Sequence, residues 1–455
     1  MRIQRDSEFY SRLKSLVIPI MIQNFMLALV SATDALMLGL VDQVSLSAVS
    51  LGGQVQFVLN LLVTGIASGL GILAAQYWGR GDRAAIERIA PLALRFNLPA
   101  GLLFTTAAFF APGLLMRFLT NDASLLESGT AYLRAVSLSY FLCAVSQVYL
   151  GVLRNTGRAK ESSRISSSAV IFNIAANAVL IFGLFGAPKL GVVGAAYATV
   201  LARLLELLWA VLETGRAERV RVRWQWLFHK EPELHRDFWK YTGPVIAASL
   251  VWGLAYSLYT VIMGHMGSDA VAANSITAIV RSLVSCAIRG LGGGTGVLMG
   301  NVLGSNDLEK AKLYGGRLAR LAMATGVFTG LLLMAVSPIV VHAALLSDTA
   351  RTYLQGMLIF CGVNLMFQAV NHVVLDGIFG AGGDTRFDMI TNIIMMWCVT
   401  LPLGFLAAFH FHAPVLVVYC IVNMDEIVKI PAVYARYKKY YWLRNLTREL
   451  QDEKN

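Results

Sequence analysis

Charge is what this chain has least of. Asp, Glu, Lys and Arg supply 14% of its 455 residues, while 56% are hydrophobic and the mean hydropathy is +0.62. Soluble domains carry roughly 25% charged residues, so the composition excludes an ordinary water-soluble globule and points to a polytopic membrane protein. Cysteine is also scarce. The five (Cys143, Cys286, Cys361, Cys398 and Cys420) lie far apart in apolar stretches, with no Cys-x-x-Cys among them, which indicates neither a disulfide framework nor a zinc site. No Gly-Lys-Ser/Thr follows the glycines at 292–294, so a phosphate-cradling loop is not indicated and close helix approach or bending suits them better. The opening "MRIQRDSEFYSRLK" is basic and polar and runs into a full-length apolar span, not a short leader core with a small-residue cleavage site.

What is present is a series of long apolar runs. A spanning helix needs roughly 20 mostly apolar residues, and on that rule twelve are expected: 14–39, 49–77, 90–114, 128–152, 164–186, 190–212, 240–263, 273–302, 314–338, 351–379, 387–409 and 413–435. The few cations sort between alternate loops. Arg80, Arg83 and Arg88 follow the second run, Arg154, Arg158 and Lys160 the fourth, and seven Lys or Arg lie between Arg216 and Lys240. Lys310, Lys312 and Arg317 follow the eighth and Arg386 the tenth, while the opposite loops "LVDQVSLS", "GHMGSDAV" and "FHFHA" hold none. Arg117, Lys189 and Arg351 are the main exceptions. By the positive-inside rule both termini are cytoplasmic. The net charge of +11 is then topological, and a nucleic-acid partner is not expected.

The two halves repeat at a spacing of about 225 residues. Pro19 matches Pro244, Gly39 matches Gly264, Gly79 matches Gly304, Asp82 matches Asp307, and "GVLRNTGRAK" (151–160) matches "GIFGAGGDTR" (377–386). Six spans per half preserve direction, so the repeats are parallel and related by an axis along the membrane normal. The fold class expected is an all-α integral membrane protein, with twelve transmembrane helices in two six-helix lobes related by a parallel pseudo-two-fold repeat. The lobes are 1–213 and 240–437, joined by a cytoplasmic linker at 214–239 and followed by a basic tail at 438–455. Trp224, Trp226 and Phe228 among basic residues suggest a linker lying on the membrane surface.

Against that background a few polar residues stand out. Asp34, in "SATDALMLG", sits inside an apolar span, where an ionised carboxylate is expensive and marks a functional site by default. In low dielectric such a group can load and release a proton near physiological pH, or it can ligate sodium together with amide and carbonyl oxygens. Packing against a neutralising helix is the alternative. Asn173 and Asn177, spaced i, i+4, point from one helix face, either into a polar site or as interhelical packing. Tyr259 takes the repeat place of Asp34. Asn364, Gln368, Asn371 and His372 form a polar stripe for substrate or for a packed seam. Arg203 with Glu206, and Asp425, Glu426 and Lys429, look like local ion pairs; "HFH" at 410–412 is not expected to bind metal.

Together the motifs resemble the multidrug and toxic compound extrusion (MATE) family of efflux antiporters. The residues that carry the resemblance are Pro19 and Asp34, "AAQYWGRGD", "GVLRNTGR", "FNIAANAVLIFG", "GVVGAAYATV", "GAGGDTRF" and "WLRNLT", in this order along essentially the whole chain. The resemblance implies a V-shaped, non-enzymatic exporter of small amphipathic, often cationic compounds, driven by protons or sodium ions and using no cofactor. It also implies a bacterial-type multi-pass cell-membrane protein that works as a monomer among membrane lipids. By resemblance Asn173, Asn177 and Thr199 face Asp34 as the coupling-ion site, and Pro19 bends helix 1. Some relatives carry a second acid where Asn177 stands, and a Glu on helix 7 and an Asp on helix 10 that help bind the ion. Helix 7 here has no acid and helix 10 has only Asp376, near its cytoplasmic end, so coupling through the second lobe is not expected. The 16 Met, 22 Phe and eight Trp suit an adaptable apolar cleft as well as they suit lipid-facing surfaces. A flippase for lipid-linked precursors would favour a cleft rich in Arg and Lys, where the second lobe offers mainly Arg281 and Arg289. A membrane-embedded transferase would need an Asp-rich metal motif, and the sequence has none.

Overall fold

The computed structural model describes residues 2–216, 220–229, 231–344 and 346–448, with side chains from residue 7 onward. The side chains of Arg2 and Arg5, all of Arg219 and Lys230, and the end of the basic tail lie outside the described residues. Among the described residues there is no strand. The first half contains α1 (Arg2–Gly39), α2 (Gln43–Arg80), α3 (Arg83–Phe110), α4 (Pro112–Leu119), α5 (Ala123–Val136), α6 (Leu138–Asn155), α7 (Ala159–Phe182) and α8 (Gly191–Thr214). The second half contains α9 (Pro232–His265), α10 (Ser268–Val284), α11 (Cys286–Gly304), α12 (Leu308–Ala343) and α13 (Asp348–Asn371, continued by π-helical turns through Phe379). It ends with α14 (Thr385–Asn392, continued by π turns), α15 (Leu401–Phe405), α16 (Val415–Val422) and α17 (Asp425–Lys438).

In an apolar medium every backbone group must be satisfied within the chain, which leaves helices as the spanning element for runs of this length. Among the described residues nine helices are long and apolar enough to cross a membrane. The pairs α5/α6 and α10/α11, each bent by 44°, bring the number to eleven. The remaining expected run, 413–435, falls on α16 and α17, which are separated at Asn423–Met424.

The repeat shows in how helices begin. Asp82 accepts the backbone N–H of Ala85 at 3.0 Å and caps α3, and Asp307 accepts that of Lys310 at 3.1 Å and caps α12. The residues just before them, Gly81 (φ +84°) and Asn306 (φ +61°), take the left-handed conformation that ends the preceding helix. Four N–H groups at each helix start lack intrahelical partners, and a side-chain carboxylate supplies one acceptor.

The chain divides into two compact units. One comprises Met1–Met21 with Gly243–Glu449, the other Ile22–Thr242. The divisions fall just after Pro19 in α1 and just before Pro244 in α9. Within the first unit, glycines hold the start of α1. A Cβ on Gly290 would come within 2.7 Å of Met21, and one on Gly294 within 2.6 Å of Val17. The core of that unit gathers Leu333, Leu354, Leu358, Leu365 and Tyr419. Its last residues are pinned by Arg436, which donates to both oxygens of Asp384 at 2.8 and 2.9 Å, and by the fully buried Trp442.

In the Ile22–Thr242 unit the core gathers Leu59, Val63, Tyr132, Leu133 and Tyr140. The described part of the linker lies along α3 and α6. Trp224 donates its indole N–H to the Tyr149 hydroxyl at 3.1 Å, Arg223 pairs with Glu87 at 2.7 Å, and the Arg88 guanidinium sits 4.9 Å from the Trp226 ring centre.

Candidate functional site

Asp34 lies on α1 one and a half turns before its end, partly buried. Its partner comes from α7: the Asn177 side-chain amide donates to Asp34 Oδ1 at 2.6 Å and reaches Asn173 Oδ1 at 3.2 Å. Both asparagines are buried, at 1% and 5% exposure. The i, i+4 spacing places them on one face of α7, and the structure turns that face toward Asp34. Asn177 spends its N–H donors on these two acceptors, so its own carbonyl oxygen Oδ1 is left buried with no partner among the described residues. An unpaired buried acceptor costs roughly 1–3 kcal/mol and suits a donor or cation beside Asp34.

Thr199 is held differently. Its hydroxyl donates to the Ala195 carbonyl one turn back on α8 at 3.0 Å, and no described hydrogen bond joins it to Asp34 or the two amides. Pro19 lies inside α1, which continues as one helix through it.

A second polar layer lies elsewhere in the same unit. Glu206 on α8 is 2% exposed and accepts from Arg203 at 2.8 Å, Ser166 at 3.0 Å and Ser146 at 3.2 Å. Gln23 of α1 donates to Ser166 at 2.9 Å. The Arg203–Glu206 pair is therefore one part of a network that joins four helices.

In the other unit the polar stripe of α13 divides. Asn364 donates its amide N–H to the Asn423 carbonyl, and Asn371 donates to the Glu426 carbonyl at 2.7 Å and to its carboxylate at 2.8 Å. Asn423 ends α16, where backbone carbonyls lack helical partners, and Asn364 supplies a donor there, while Asn371 holds Glu426 in the first turn of α17. Gln368 Oε1 is buried without a partner. His372 Nδ1 meets the Asp376 carboxylate one turn on. Tyr259 stands apart from the stripe's hydrogen bonds: its hydroxyl pairs with Thr400 Oγ1 at 2.5 Å.

A family model described as MatE matches the chain twice, over residues 19–179 and 244–406, which together make up most of its length. The chain belongs to the MatE family. The two matches begin at Pro19 and Pro244, 225 residues apart, so the family unit and the internal repeat coincide. The uncharacterized transporter YisQ of Bacillus subtilis is 24% identical over 439 residues, 94% of each chain. A probable multidrug resistance protein, NorM of Rhizobium meliloti, is 28% identical over 410 residues, covering 85% of this chain and 83% of its own. A solved MOP superfamily transporter from Pyrococcus furiosus superposes with a TM-score of 0.86 at 20% identity, covering 94% of this chain and 95% of that one. This MatE protein is thus a helical, multi-pass membrane transporter built from two repeats, with up to eleven apolar spans among the described residues and a further expected run divided between α16 and α17.

Proposed function

We propose that this MatE protein is a cation-coupled exporter of small amphipathic organic molecules, with Asp34, Asn173 and Asn177 as its coupling-ion site and Thr199 as a neighbour recruited when an ion is bound. The observation that carries the reading is the contact between the Asp34 carboxylate and Asn177 at 2.6 Å, beside an amide oxygen with no partner. A carboxylate with amide oxygens around it accepts a proton on the acid or holds a sodium ion among hard oxygen ligands. The names of its relatives, multidrug resistance proteins among them, support export of organic compounds.

The cycle runs as follows. In the outward-open state Asp34 takes up an external cation, helix 1 repacks about Pro19, and bound substrate leaves. The ion is then released to the cytoplasm, where both termini and the basic loops lie, and new substrate enters. One proton moving through ~100 mV supplies ~2.3 kcal/mol, and each pH unit adds ~1.4 kcal/mol. One ion therefore supports a concentration ratio of tens- to hundreds-fold. Of the α13 stripe, Asn364 is engaged by Asn423 and Asn371 by Glu426, so we assign substrate contact to Gln368 and His372 and a lining role to Tyr259.

Fluorescent-dye efflux from cells tests the reading. Asp34→Asn should abolish coupled efflux while the protein remains folded in the membrane. A protonophore should stop the wild type if the ion is a proton, and sodium removal should stop it if the ion is sodium. Wild-type efflux by Asp34→Asn overturns the assignment.

A further inference from the structure

Within the Ile22–Thr242 unit, α1 and α7 are joined by side-chain hydrogen bonds at two levels. One is the Asp34–Asn177 contact at 2.6 Å, and the other runs from the Gln23 amide to the Ser166 hydroxyl at 2.9 Å. Gln23 precedes Asp34 by 11 residues, and Ser166 precedes Asn177 by the same 11. Eleven residues make about three turns of an α-helix, a rise of roughly 16 Å, so each pair of side chains returns to one face of its helix. Equal offsets in the same chain direction mean that α1 and α7 run parallel in a single register.

The Gln23 level is built as an anchor. Gln23 is 6% exposed, and Ser166 and Glu206 are each 2%. The donors form a chain in one direction: Arg154 to Gln23 Oε1 at 3.4 Å, Gln23 to Ser166, and Ser166 to Glu206 Oε1 at 3.0 Å. The other oxygen of Glu206 is held by Arg203 at 2.8 Å and Ser146 at 3.2 Å. Helices α6, α7 and α8 thus converge on a carboxylate that three donors fix in place, and Gln23 ties α1 to it. Withdrawing Gln23 would also cost Arg154 its one hydrogen bond among the described residues, and Arg154 Nε is already buried without a partner. Buried donors left unpaired are disfavoured, so α1 is held here by more than the Gln23–Ser166 bond alone.

The second repeat supplies a comparison. At the spacing of 225 residues Asp34 corresponds to Tyr259, and Gln23 corresponds to Ala248, a buried residue with no polar side-chain atom. The two polar residues of α1 occur together in one half and are missing together from the other. A seam that only packed helices would need neither a matched three-turn spacing nor this joint loss.

We propose that Gln23 is a positioning residue for the Asp34 site. Its bonds to Ser166 and Arg154 fix the height and rotation of α1 against α7, and so hold the Asp34 carboxylate at the Asn177 amide. The effect passes through the helix, because Gln23 stands three turns from Asp34 and hydrogen-bonds to neither Asp34 nor Asn177. The inference rests on the reading of Asp34 as the coupling-ion site.

Dye efflux measured against sodium concentration and against pH, scaled to the amount of each variant in the membrane, tests it. Gln23→Met keeps length and bulk and removes both bonds. One intramolecular hydrogen bond shifts an equilibrium by about 2- to 10-fold. The sodium concentration at half-maximal efflux should rise by that factor, or the pH at half-maximal efflux should move by up to about one unit, with the maximal rate retained. Ser166→Ala breaks the same level from the α7 side and should have the same effect. Ser146→Ala removes a donor to Glu206 but leaves the link to α1, and should leave the ion dependence unchanged. In an Asn177→Ala background the contact that Gln23 positions is already lost, so Gln23→Met should add no further shift. The proposal is overturned if Gln23→Met and Ser166→Ala keep the wild-type ion dependence, or if Ser146→Ala shifts it as far as they do. An equal shift by Gln23→Met with and without Asn177 also overturns it. Efflux by Asp34→Asn, run alongside, separates the two readings. Wild-type efflux there overturns the coupling site itself, whereas lost efflux there with an unmoved Gln23→Met curve overturns the positioning role alone.

Discussion

Replacing Lys429 by Met tests the charge accounting of the second repeat. Met keeps the length and bulk of the side chain and removes only the ammonium. Lys429 is 2% exposed and touches Asp425 at 2.9 Å and Glu426 at 3.7 Å, so its loss leaves two largely buried carboxylates without their cation. Removing one partner of a buried pair costs about 3–5 kcal/mol, most of it the penalty of the charge left behind. With two carboxylates dependent on one ammonium, Lys429→Met should fall at the upper end of that range. Asp425→Asn/Lys429→Met removes the nearer stranded charge and should recover at least ~2 kcal/mol of the loss. The assay is equilibrium unfolding of the detergent-solubilised protein by increasing SDS, run for wild type, both single variants and the double. A Lys429→Met protein within ~1 kcal/mol of wild type would refute the reasoning, as would single-variant losses that simply add in the double.

Asn177→Ala removes the donor to Asp34 Oδ1. Hydrogen bonds to charged groups are worth about 1.5–3 kcal/mol, about 10- to 150-fold in an equilibrium constant. If sodium is the coupling ion, the concentration for half-maximal dye efflux should rise by that factor; if it is the proton, the pH at half-maximal efflux should move by about one to two units. Asp82→Ala and Asp307→Ala should each destabilise by ~1 kcal/mol through loss of a helix cap. The two caps share no hydrogen-bond partner, so their effects should add in the double variant, as read by thermal unfolding. Asp42, in the loop before α2, has its carboxyl held below the usual carboxylate range by the Ser45 backbone N–H and hydroxyl. A group lowered in the folded state stabilises above its unfolded value near 3.9 and loses that contribution as pH falls through the folded value. Asp42→Ala should thus be ~1 kcal/mol less stable than wild type from pH 5 to 8, and the difference should shrink below about pH 4.

The spans were legible because apolar length is a local property of sequence. The runs at 128–152 and 273–302 read as single spans, whereas the structure bends each by 44°, at Ser137 and Ser285. Nothing local marks those serines. Asp82 and Asp307 were legible as a matched pair of the repeat, but their capping of α3 and α12 was seen only in the structure. The contact between Asp34 and Asn177 spans 143 residues of sequence. Spacing alone placed two amides on one face, and only the family resemblance said which acid they meet. The division of α1 after Met21 depends on Gly290 and Gly294 admitting Val17 and Met21. Gly294 was among the glycines read as a close-approach signal, whereas Gly290 was not, and the partner helix was not visible.

The repeat sharpens what differs between the halves. At the place of Asp34 the second half has Tyr259, whose hydroxyl and that of Thr400 satisfy each other at 2.5 Å with no charge. A neutral pair of this kind needs no ion. The second half carries its carboxylates instead in the first turn of α17, where Asn371 donates to Glu426, while Asn364 donates to the Asn423 carbonyl at the end of α16. The break between α16 and α17 persists because Asp425, Glu426 and Lys429 follow it directly, a stretch too polar to continue an apolar span without partners of its own.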